Sequence, residues 1–241
     1  MFKTKAIAAA GGLGTRLQGF RDNNSTKILF EVNGIPMINL QLNQLINWGL
    51  KEFIIITNPT YDQIIKDATL SYTEKYKIQY AIQEKQLGIT HALLQAKNYV
   101  ENDHNVLFVL GDNFFGKNPI ENLNFGDLTQ SDIGSIIFST EVQNPKDFGV
   151  IEVDENQKVL NIEEKPKNPK SNKAVVGLYF FDKSCFKNAE RVKPSNRGEY
   201  EITDLIDIYI KKNICLVKNL DSWWIDAGTP DRIIELESKL S

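Results

Sequence analysis

The sequence predicts an α/β fold, with a mixed but mainly parallel sheet flanked by helices and with antiparallel additions in the second half of the chain. Three observations support this prediction. Short apolar runs that end at glycine, such as residues 4–10 and 106–110, are typical of strands buried on both faces of a sheet. Stretches with helical spacing separate these runs before residue 112. After residue 112, strand-like runs follow one another with few long helices between them.

The first half of the chain alternates predicted strands and helices. Apolar side chains in residues 36–48 lie close to helical spacing, and Gly49 stands where a helix stop is expected. The predicted strands cover residues 4–10, 53–57, 78–83 and 106–110, and the predicted helices cover residues 36–48, 61–67 and 88–100. This Rossmann-like alternation favours parallel strands that helices cover on both faces.

The second half is predicted to extend the same sheet. The expected strands cover residues 133–142, 150–153, 159–163 and 175–182, and helices are expected over residues 200–211 and from about residue 231. The Pro- and Lys-rich residues 163–173 are interpreted as a loop between strands and not as an interdomain linker. We therefore expect one continuous domain over residues 1–241, with a first half to about residue 112 and a second half from about residue 113.

The composition excludes several classes of protein. Of the 241 residues, 31 are acidic and 28 are basic, so the charge of -3 lacks the single-sign field of a nucleic-acid-binding protein. The apolar runs fall far short of the roughly 18 residues that a membrane span needs, and the first residues do not resemble a signal peptide. Two cysteines without the spacing of a zinc site fit a reducing environment. We expect a cytoplasmic protein without nucleic-acid or membrane partners.

A glycine-rich turn follows the first predicted strand. Gly11, Gly12 and Gly14 put no side chain in front of their backbone amides, so these amides can point at phosphate oxygens. Leu17 stands where the dinucleotide fingerprint requires its third glycine, and the Walker frame lacks its lysine and its hydroxyl residue. The turn therefore indicates neither a redox dinucleotide site nor a P-loop.

Two basic residues follow this turn. Arg16 lies just past the glycines, and Lys27 comes 11 residues later. A guanidinium can bind two oxygens at once and an ammonium acts as a mobile point charge, so the pair suits a triphosphate. A tight turn with two solvated cations is the alternative, and spacing alone does not decide between the two interpretations.

A series of motifs along the chain resembles one family. The motifs are Gly11-Gly12-Leu13-Gly14-Thr15-Arg16-Leu17 with Lys27, Leu110-Gly111-Asp112-Asn113, Glu163-Glu164-Lys165-Pro166, Gly177-Leu178-Tyr179, Arg197-Gly198-Glu199-Tyr200-Glu201-Ile202-Thr203-Asp204 and Trp224-Ile225-Asp226-Ala227-Gly228-Thr229. Together they resemble the sugar-nucleotide pyrophosphorylases, nucleotidyltransferases that join a sugar 1-phosphate to a nucleoside triphosphate. The series looks most like the thymidylyltransferase branch. That resemblance implies dTTP, glucose 1-phosphate and Mg²⁺, with dTDP-sugar and pyrophosphate as products.

The resemblance also implies catalytic roles. Asp112 and Asp226 would hold Mg²⁺, and a hard cation bound by one or two carboxylates suits transfer between phosphates. Arg16 and Lys27 would bind the triphosphate, and Lys165 would bind the attacking phosphate. The local alternatives are an Asx turn at Asp112 and a helix cap at Asp226. Since the nucleophile is an anionic phosphate oxygen, no general base is required.

Further residues are assigned to the two substrates. The nucleotide-binding set is Gly11, Gly12, Gly14, Thr15, Arg16, Gln83 and Gly88, and the sugar-binding set is Asn113, Gly149, Glu164, Lys165, Gly177 and Arg197. Gln83 can offer a donor and an acceptor to a pyrimidine edge, and Gly88 can let its backbone approach the base. His91 is interpreted as a packing or capping residue and His104 as a solvated loop residue.

The chain departs from the family pattern at several positions. These are Glu31 in place of a common proline, Ile89-Thr90 in place of Leu-Ala, Val176 in place of a polar residue, and Ala227 in place of threonine or serine. Thr90 and Val176 leave the base and the sugar open. UTP or CTP are alternative substrates, because a single methyl group or exchanged edge donors separate these bases. A phosphocholine cytidylyltransferase and a noncatalytic nucleotide-sugar sensor are the other functional alternatives.

The family also has features beyond the catalytic unit. Its thymidylyltransferases commonly continue with a C-terminal helical segment that forms a regulatory site and subunit contacts. Since this chain stops at Ser241, about one helix past Asp226, we expect a core enzyme without that regulatory site. A homo-oligomer is compatible with the sequence.

Overall fold

The computed structural model describes residues 4–12, 14, 17, 19–20, 26–123 and 133–241. The strands are β1 (Thr4–Ala9), β2 (Glu31–Val32), β3 (Ile35–Pro36), β4 (Glu52–Thr57), β5 (Lys77–Ile82), β6 (Asn105–Leu110), β7 (Asn113–Phe115), β8 (Ser135–Glu141), β9 (Gly149–Val153), β10 (Val159–Glu164), β11 (Lys173–Phe181), β12 (Cys215–Asn219) and β13 (Trp224–Asp226). The α-helices are α1 (Met37–Asn47), α2 (Asp62–Thr69), α3 (Ile89–Gln95), α4 (Cys185–Ala189), α5 (Ile202–Lys211) and α6 (Pro230–Leu240).

Within the described residues, nine strands form one mixed sheet. Its main path runs in the order β10-β9-β11-β6-β1-β4-β5, and β8 pairs with both β11 and β12. The strands β6, β1, β4 and β5 are mutually parallel, whereas β11 runs antiparallel to β6, β8 and β9. The predicted fold class, with its parallel first half and antiparallel additions, is therefore confirmed.

Both faces of this sheet are covered by packed apolar side chains. Successive residues of its central strands point to opposite faces, so each strand contributes to both layers. In β6, Val106 and Phe108 pack in one hydrophobic cluster, and Leu107 and Val109 pack in the other. All four side chains are fully buried. This burial explains why the central strands are apolar runs without the polar alternation of a half-exposed strand.

Some elements differ from the sequence prediction. The helix expected over residues 88–100 ends earlier, since α3 is followed by a short 3₁₀ helix at Lys97–Tyr99. The strand β12 and the two short antiparallel ribbons, β2 with β3 and β7 with β13, have no counterpart in the predicted elements. Across the described ranges, no helix has the length and apolar character needed to cross a membrane.

Candidate active site

Two adjoining cavities lie beyond the carboxyl ends of the parallel strands, the edge where open α/β sheets bind ligands. The glycine-turn cavity has a volume of about 300 Å³ and is lined by Gly11, Gly12, Lys27, Gln83, Gly88 and Asp112, among others. The Glu164 cavity has a volume of about 400 Å³ and is lined by Asn113, Gly149, Glu164, Lys165, Gly177 and Asp226, among others. Ile89 and Leu110 line both cavities. The predicted nucleotide-binding residues Gly11, Gly12, Gln83 and Gly88 thus line one space, and all the predicted sugar-binding residues except Arg197 line its neighbour.

The glycine turn brings Lys27 into the first of these cavities. Gly14 has a φ of +66°, and a Cβ at this position would lie only 2.6 Å from the Lys27 backbone nitrogen. The Thr26 hydroxyl donates a hydrogen bond of 2.9 Å to the Gly12 carbonyl oxygen. These contacts hold Lys27 close to the turn. Thr15 and Arg16, which belong to the predicted nucleotide-binding set, lie outside the described residues.

The ribbon of β7 and β13 brings the two predicted metal-binding aspartates together. Asp226 stands opposite Asn113 in this ribbon, and the Ala227 amide donates a hydrogen bond of 2.8 Å to the Asp112 carbonyl oxygen. The Asp112 carboxylate also forms an ion pair with Lys27. Burial alone would raise the pKa of Asp112, but the Lys27 ammonium, together with hydrogen bonds to Asp226 and Asn113, holds the pKa below its ordinary value.

The chemistry of these two carboxylates fits Mg²⁺. Mg²⁺ is bound by hard oxygen ligands and commonly takes one or two carboxylates together with substrate phosphates and water. In the part of the chain that the structure describes, no cluster of three or more metal-binding side chains occurs. Asp112 and Asp226 would supply two carboxylates. Asp226 does not cap the final helix, because the residue before α6 is Thr229.

Gln83 is held by two neighbours in the glycine-turn cavity. The residue is 5% exposed, and its Nε2 donates to the Gly88 carbonyl oxygen at 3.3 Å and lies 3.1 Å from His91 Nδ1. Burial lowers the pKa of His91, so the neutral ring can accept this hydrogen bond. His91 therefore orients Gln83, a role that the packing interpretation missed. The spacing of the two residues across a strand end and a helix start is the sequence signal that could have suggested it.

The prediction for His104 is wrong. The residue is 3% exposed and is not solvated, and its Nδ1 lies 2.9 Å from an Asp103 carboxylate oxygen. It stands directly before β6, at the amino edge of the sheet and away from both cavities. Burial at this edge depends on chain segments distant in sequence, which a local polar pattern does not reveal.

Gly88 packs against the segment of residues 197–201. It has a φ of +105°, and a Cβ there would lie 2.7 Å from both the nitrogen and the oxygen of the Tyr200 backbone. Next to it, the Thr90 amide donates to the Tyr200 carbonyl oxygen at 3.0 Å, and the Thr90 hydroxyl donates to the Glu201 carbonyl oxygen at 2.7 Å. Contacts within the protein therefore explain both the glycine at position 88 and Thr90, which departs from the family pattern.

Arg197 lies among three carboxylates and is not one of the residues that line the Glu164 cavity. Its guanidinium is 3.7 Å from Glu164 and from Glu201, and 3.1 Å from Glu199. Burial, followed by repulsion from Glu201, raises the pKa of Glu164. Lys165 has an exposed side chain and a φ of +45°, a strained conformation that occurs preferentially at functional sites.

The remaining predicted sugar-binding glycines approach protein atoms closely. A Cβ at Gly149 would lie 2.8 Å from the Thr203 methyl group, and one at Gly177 would lie 2.6 Å from Asn113 Oδ1. Val176 is fully buried and is not among the residues that line the cavity, so this departure leaves the cavity surface unchanged.

Arg232 is a cavity residue that the motifs did not indicate. It lies in the first turn of α6, lines the Glu164 cavity and pairs with Glu235 at 2.5 Å. In the sequence, a basic residue near the start of a helix is typical of a solvated helix surface. Its position in the cavity depends on how α6 packs, and no local pattern signals it.

Comparison with known proteins identifies the family of this chain. A family model described as nucleotidyl transferase matches residues 5–241. A glucose-1-phosphate thymidylyltransferase of Neisseria meningitidis is 36% identical over 241 residues, which cover 97% of this chain and 81% of the relative. A UTP–glucose-1-phosphate uridylyltransferase of Haloferax volcanii is 30% identical over 246 residues, with coverages of 98% and 96%. A Bacillus anthracis structure described as a glucose-1-phosphate thymidylyltransferase superposes with a TM-score of 0.87, at 33% identity and coverages of 98% and 94%.

Proposed function

The chain belongs to the nucleotidyl transferase family, and from this premise we propose that it transfers a thymidylyl group from dTTP to glucose 1-phosphate, releasing pyrophosphate. The family predicted from the sequence motifs is thereby confirmed, and the chain is a nucleotidyltransferase enzyme. The thymidylyltransferase relatives at about one-third identity support the choice of dTTP and glucose 1-phosphate.

One observation carries the proposal. Four residues assigned to the nucleotide, Gly11, Gly12, Gln83 and Gly88, line the glycine-turn cavity, and all the residues assigned to the sugar except Arg197 line the adjoining Glu164 cavity. Asp112 lines the first cavity and Asp226 the second, and the β7 and β13 ribbon brings these two carboxylates together. A transferase that joins two phosphate-bearing substrates needs such an arrangement, because the reacting phosphates must meet in one place. We further propose that both halves of the chain form one catalytic domain.

In the proposed reaction, an oxygen of the sugar phosphate attacks the α-phosphate of the nucleotide, and pyrophosphate leaves. Arg16 and Lys27 bind the triphosphate, and Lys165 binds the attacking phosphate. Because the nucleophile is already an anion, these residues act by placing the two phosphates in line and by neutralising their charge. Gln83 binds the base, and Glu164 accepts hydrogen bonds from sugar hydroxyls.

The proposal includes Mg²⁺, which Asp112 and Asp226 would hold. When bound, Mg²⁺ supplies positive charge to the phosphate oxygens on which negative charge develops. The Lys27 ammonium contributes positive charge at the same place, since it already contacts Asp112.

Pyrophosphate release tests the proposed function. Purified protein is incubated with glucose 1-phosphate, MgCl₂ and each of dTTP, UTP, CTP, ATP and GTP, and we expect the highest kcat/KM with dTTP. Release from none of these pairs, with other sugar 1-phosphates also tried, would refute the proposal.

UTP is the second candidate nucleotide, because a uridylyltransferase at 30% identity covers nearly the whole chain. The two bases differ by one methyl group, which a pocket discriminates by only about 1–3 kcal/mol. A higher kcat/KM with UTP would retain the sugar-nucleotide reaction and reject thymidylyl transfer.

A further inference from the structure

Asn113, the first residue of β7, has a buried side-chain amide that contacts three other parts of the site. The residue is 2% exposed. Its Oδ1 accepts hydrogen bonds from the Gly177 amide at 2.9 Å and from the Trp224 indole at 2.7 Å. Its Nδ2 donates to Asp112 Oδ1 at 3.0 Å. This one side chain therefore connects the end of β6 with β11 and β13.

These contacts determine the orientation of the Asn113 side-chain amide. The Gly177 amide and the Trp224 indole can only donate, so the atom that faces them must be the carbonyl oxygen. The NH₂ group consequently faces the Asp112 carboxylate and gives its charged form a hydrogen bond. An aspartate at position 113 would have no donor for Asp112, and a leucine would have neither donor nor acceptor.

Gly177 is needed for the same arrangement. A Cβ at this position would lie 2.6 Å from Asn113 Oδ1, closer than real contacts allow. Any side chain here would displace the Asn113 amide from the backbone of β11. The glycine thus has a role within the protein that is separate from any contact with a sugar.

The Asp112 carboxylate is held at both of its oxygens. Oδ1 accepts the hydrogen bond from Asn113, and Oδ2 pairs with the Lys27 ammonium. Contacts on different oxygens restrict rotation of the carboxylate about its side-chain torsion. The Asn113 contact matters for the metal because neutral groups that hydrogen-bond to a metal ligand set its orientation and its affinity for the metal.

We propose that Asn113 is a positioning residue that orients the Asp112 carboxylate for the metal and joins this carboxylate to the Glu164 cavity through Gly177 and Trp224. The inference rests on the proposed function, because it assumes that Asp112 holds the metal. It differs from the sugar-binding role that the resemblance implies for Asn113. In that role, loss of the amide would raise the KM for the sugar 1-phosphate and leave metal binding unchanged.

Mn²⁺ binding to the substrate-free protein tests this role, with the EPR signal of unbound Mn²⁺ as the readout. We expect Asn113→Leu, which keeps the branched shape of the side chain and replaces both polar atoms with methyl groups, to weaken Mn²⁺ binding by about 10-fold or more. Its kcat should fall in the same proportion, while the KM for glucose 1-phosphate stays within about twofold of the wild-type value, since the amide acts through Asp112.

A matched control separates metal positioning from the general loss of a buried amide. Asn188 in α4 is 3% exposed, donates to the Ser184 hydroxyl at 3.1 Å and accepts from Lys212 at 2.9 Å. Asn188→Leu should lower the thermal midpoint of unfolding and leave Mn²⁺ affinity unchanged.

A second variant keeps the test decisive if Asn113→Leu does not fold. Trp224→Phe removes the indole donor to Asn113 Oδ1 while retaining a ring against Phe148, whose ring centroid lies 5.5 Å away. We expect Mn²⁺ affinity and kcat to fall in the same direction but less, by about threefold, as befits one lost hydrogen bond.

Three outcomes would overturn the inference. The first is wild-type Mn²⁺ affinity in Asn113→Leu, or in Trp224→Phe if the former does not fold. The second is an equal loss of affinity in Asn188→Leu. The third is a wild-type protein that binds no Mn²⁺, which would also remove the metal role of Asp112. Pyrophosphate release by the wild-type protein is measured alongside, so failure of the proposed function is seen there, and failure of this inference alone is seen in the variants.

Discussion

At the scale of single residues, the ion pair between Lys27 and Asp112 places a lysine against a carboxylate proposed to hold a metal. Their side chains are 24% and 13% exposed, so solvent screens the pair only partly. A metal ion and the ammonium would compete for the same carboxylate. If Lys27 moves to a bound triphosphate, the carboxylate becomes available, and nucleotide and metal then strengthen each other's binding.

Replacing Lys27 therefore has opposite effects on the two ligands. We expect substrate-free Lys27→Met to bind Mn²⁺ about fivefold more tightly than the wild type and to bind dTTP more weakly, as EPR and calorimetric titrations would measure. Lys66→Met is the control, since Lys66 pairs with Asp62 at 2.6 Å in α2. Unchanged Mn²⁺ affinity in Lys27→Met, or an equal gain in Lys66→Met, contradicts the competition.

The raised pKa of Glu164 predicts a pH dependence of sugar binding. Burial is the main cause of the rise, and repulsion from Glu201 adds to it. A raised pKa means that Glu164 gains its proton, and loses its capacity to accept sugar hydroxyls, at a higher pH than an ordinary glutamate does. The KM for glucose 1-phosphate should therefore rise as the pH falls toward this pKa.

Glu164→Gln is the comparison that isolates this effect. The glutamine does not titrate, whereas protonation of the substrate phosphate affects both proteins alike. We expect a higher KM for glucose 1-phosphate in the variant at neutral pH and a shallower rise on acidification. Parallel KM profiles for the two proteins would show that Glu164 does not bind the sugar.

The site residues could be predicted from the sequence where a motif contains them. Asp112 and Asp226 were expected together, and the β7 and β13 ribbon brings them together. The hydrogen bond between Gln83 and His91 and the burial of His104 could not be predicted in this way. Both depend on how α3 and the amino edge of the sheet pack, which is a property of distant chain segments.

At the scale of elements, the contact between Gly88 and Tyr200 fixes the start of α3 against residues 197–201. The glycine has a positive φ, and the Tyr200 backbone leaves no room for a Cβ. We expect Gly88→Ala to lower the free energy of unfolding by about 3 kcal/mol, because backbone strain and overpacking add. Urea denaturation measures the change.

Gly34→Ala is the control for backbone strain alone. Gly34 has a φ of +77° in the turn between β2 and β3, and a Cβ there would meet nothing within 4 Å. Its substitution should cost about 1 kcal/mol. Equal losses in the two variants would mean that the contact with Tyr200 contributes nothing to the stability.

Elements were predictable where the local pattern is strong. The central strands are continuous apolar runs, and α1 has helical spacing before Gly49, so both follow from the sequence alone. The strand β12 was missed because its pairing is with β8, about 80 residues earlier in the chain. The β7 and β13 ribbon was missed for the same reason, since each of its strands has three residues and lacks a periodic pattern.

At the scale of the whole molecule, the two edges of the sheet have different chemistry. The carboxyl edge bears both cavities, whereas the amino edge bears a buried lysine. Lys5 has a side chain that is 1% exposed and pairs with Glu101 at 2.6 Å. Its ammonium also donates to the Tyr99 carbonyl oxygen at 2.5 Å. This group binds β1 to the segment before β6 and lies apart from the proposed chemistry.

The Glu101 carboxylate makes the stability of this edge depend on acidity. The hydrogen bond from Lys5 lowers the pKa of Glu101 from 4.5 to about 2. The pKa of Glu101 is lower in the folded protein than in the unfolded chain. The contact with Lys5 therefore contributes fully to the free energy of unfolding above pH 4.5, and this contribution is lost as the pH falls from 4.5 to about 2. We expect the free energy of unfolding to fall less over this range in Glu101→Gln than in the wild type.

Glu190→Gln serves as the control for this acid dependence. Glu190 pairs with Lys97, and both side chains are about half exposed, so solvent screens the pair. Its substitution should leave the acid dependence as it is in the wild type. An identical acid profile for Glu101→Gln and the wild type would contradict the role of the Lys5 contact.

The central claim concerns the meeting of the two cavities at Asp112, and steady-state pyrophosphate release tests it most directly. Wild-type protein and Asp112→Asn, which keeps the side-chain volume, are assayed with dTTP, glucose 1-phosphate and MgCl₂ after circular dichroism has shown that both are folded. We predict release by the wild type and a kcat at least about 100-fold lower in Asp112→Asn. Equal turnover by the two folded proteins would contradict the account.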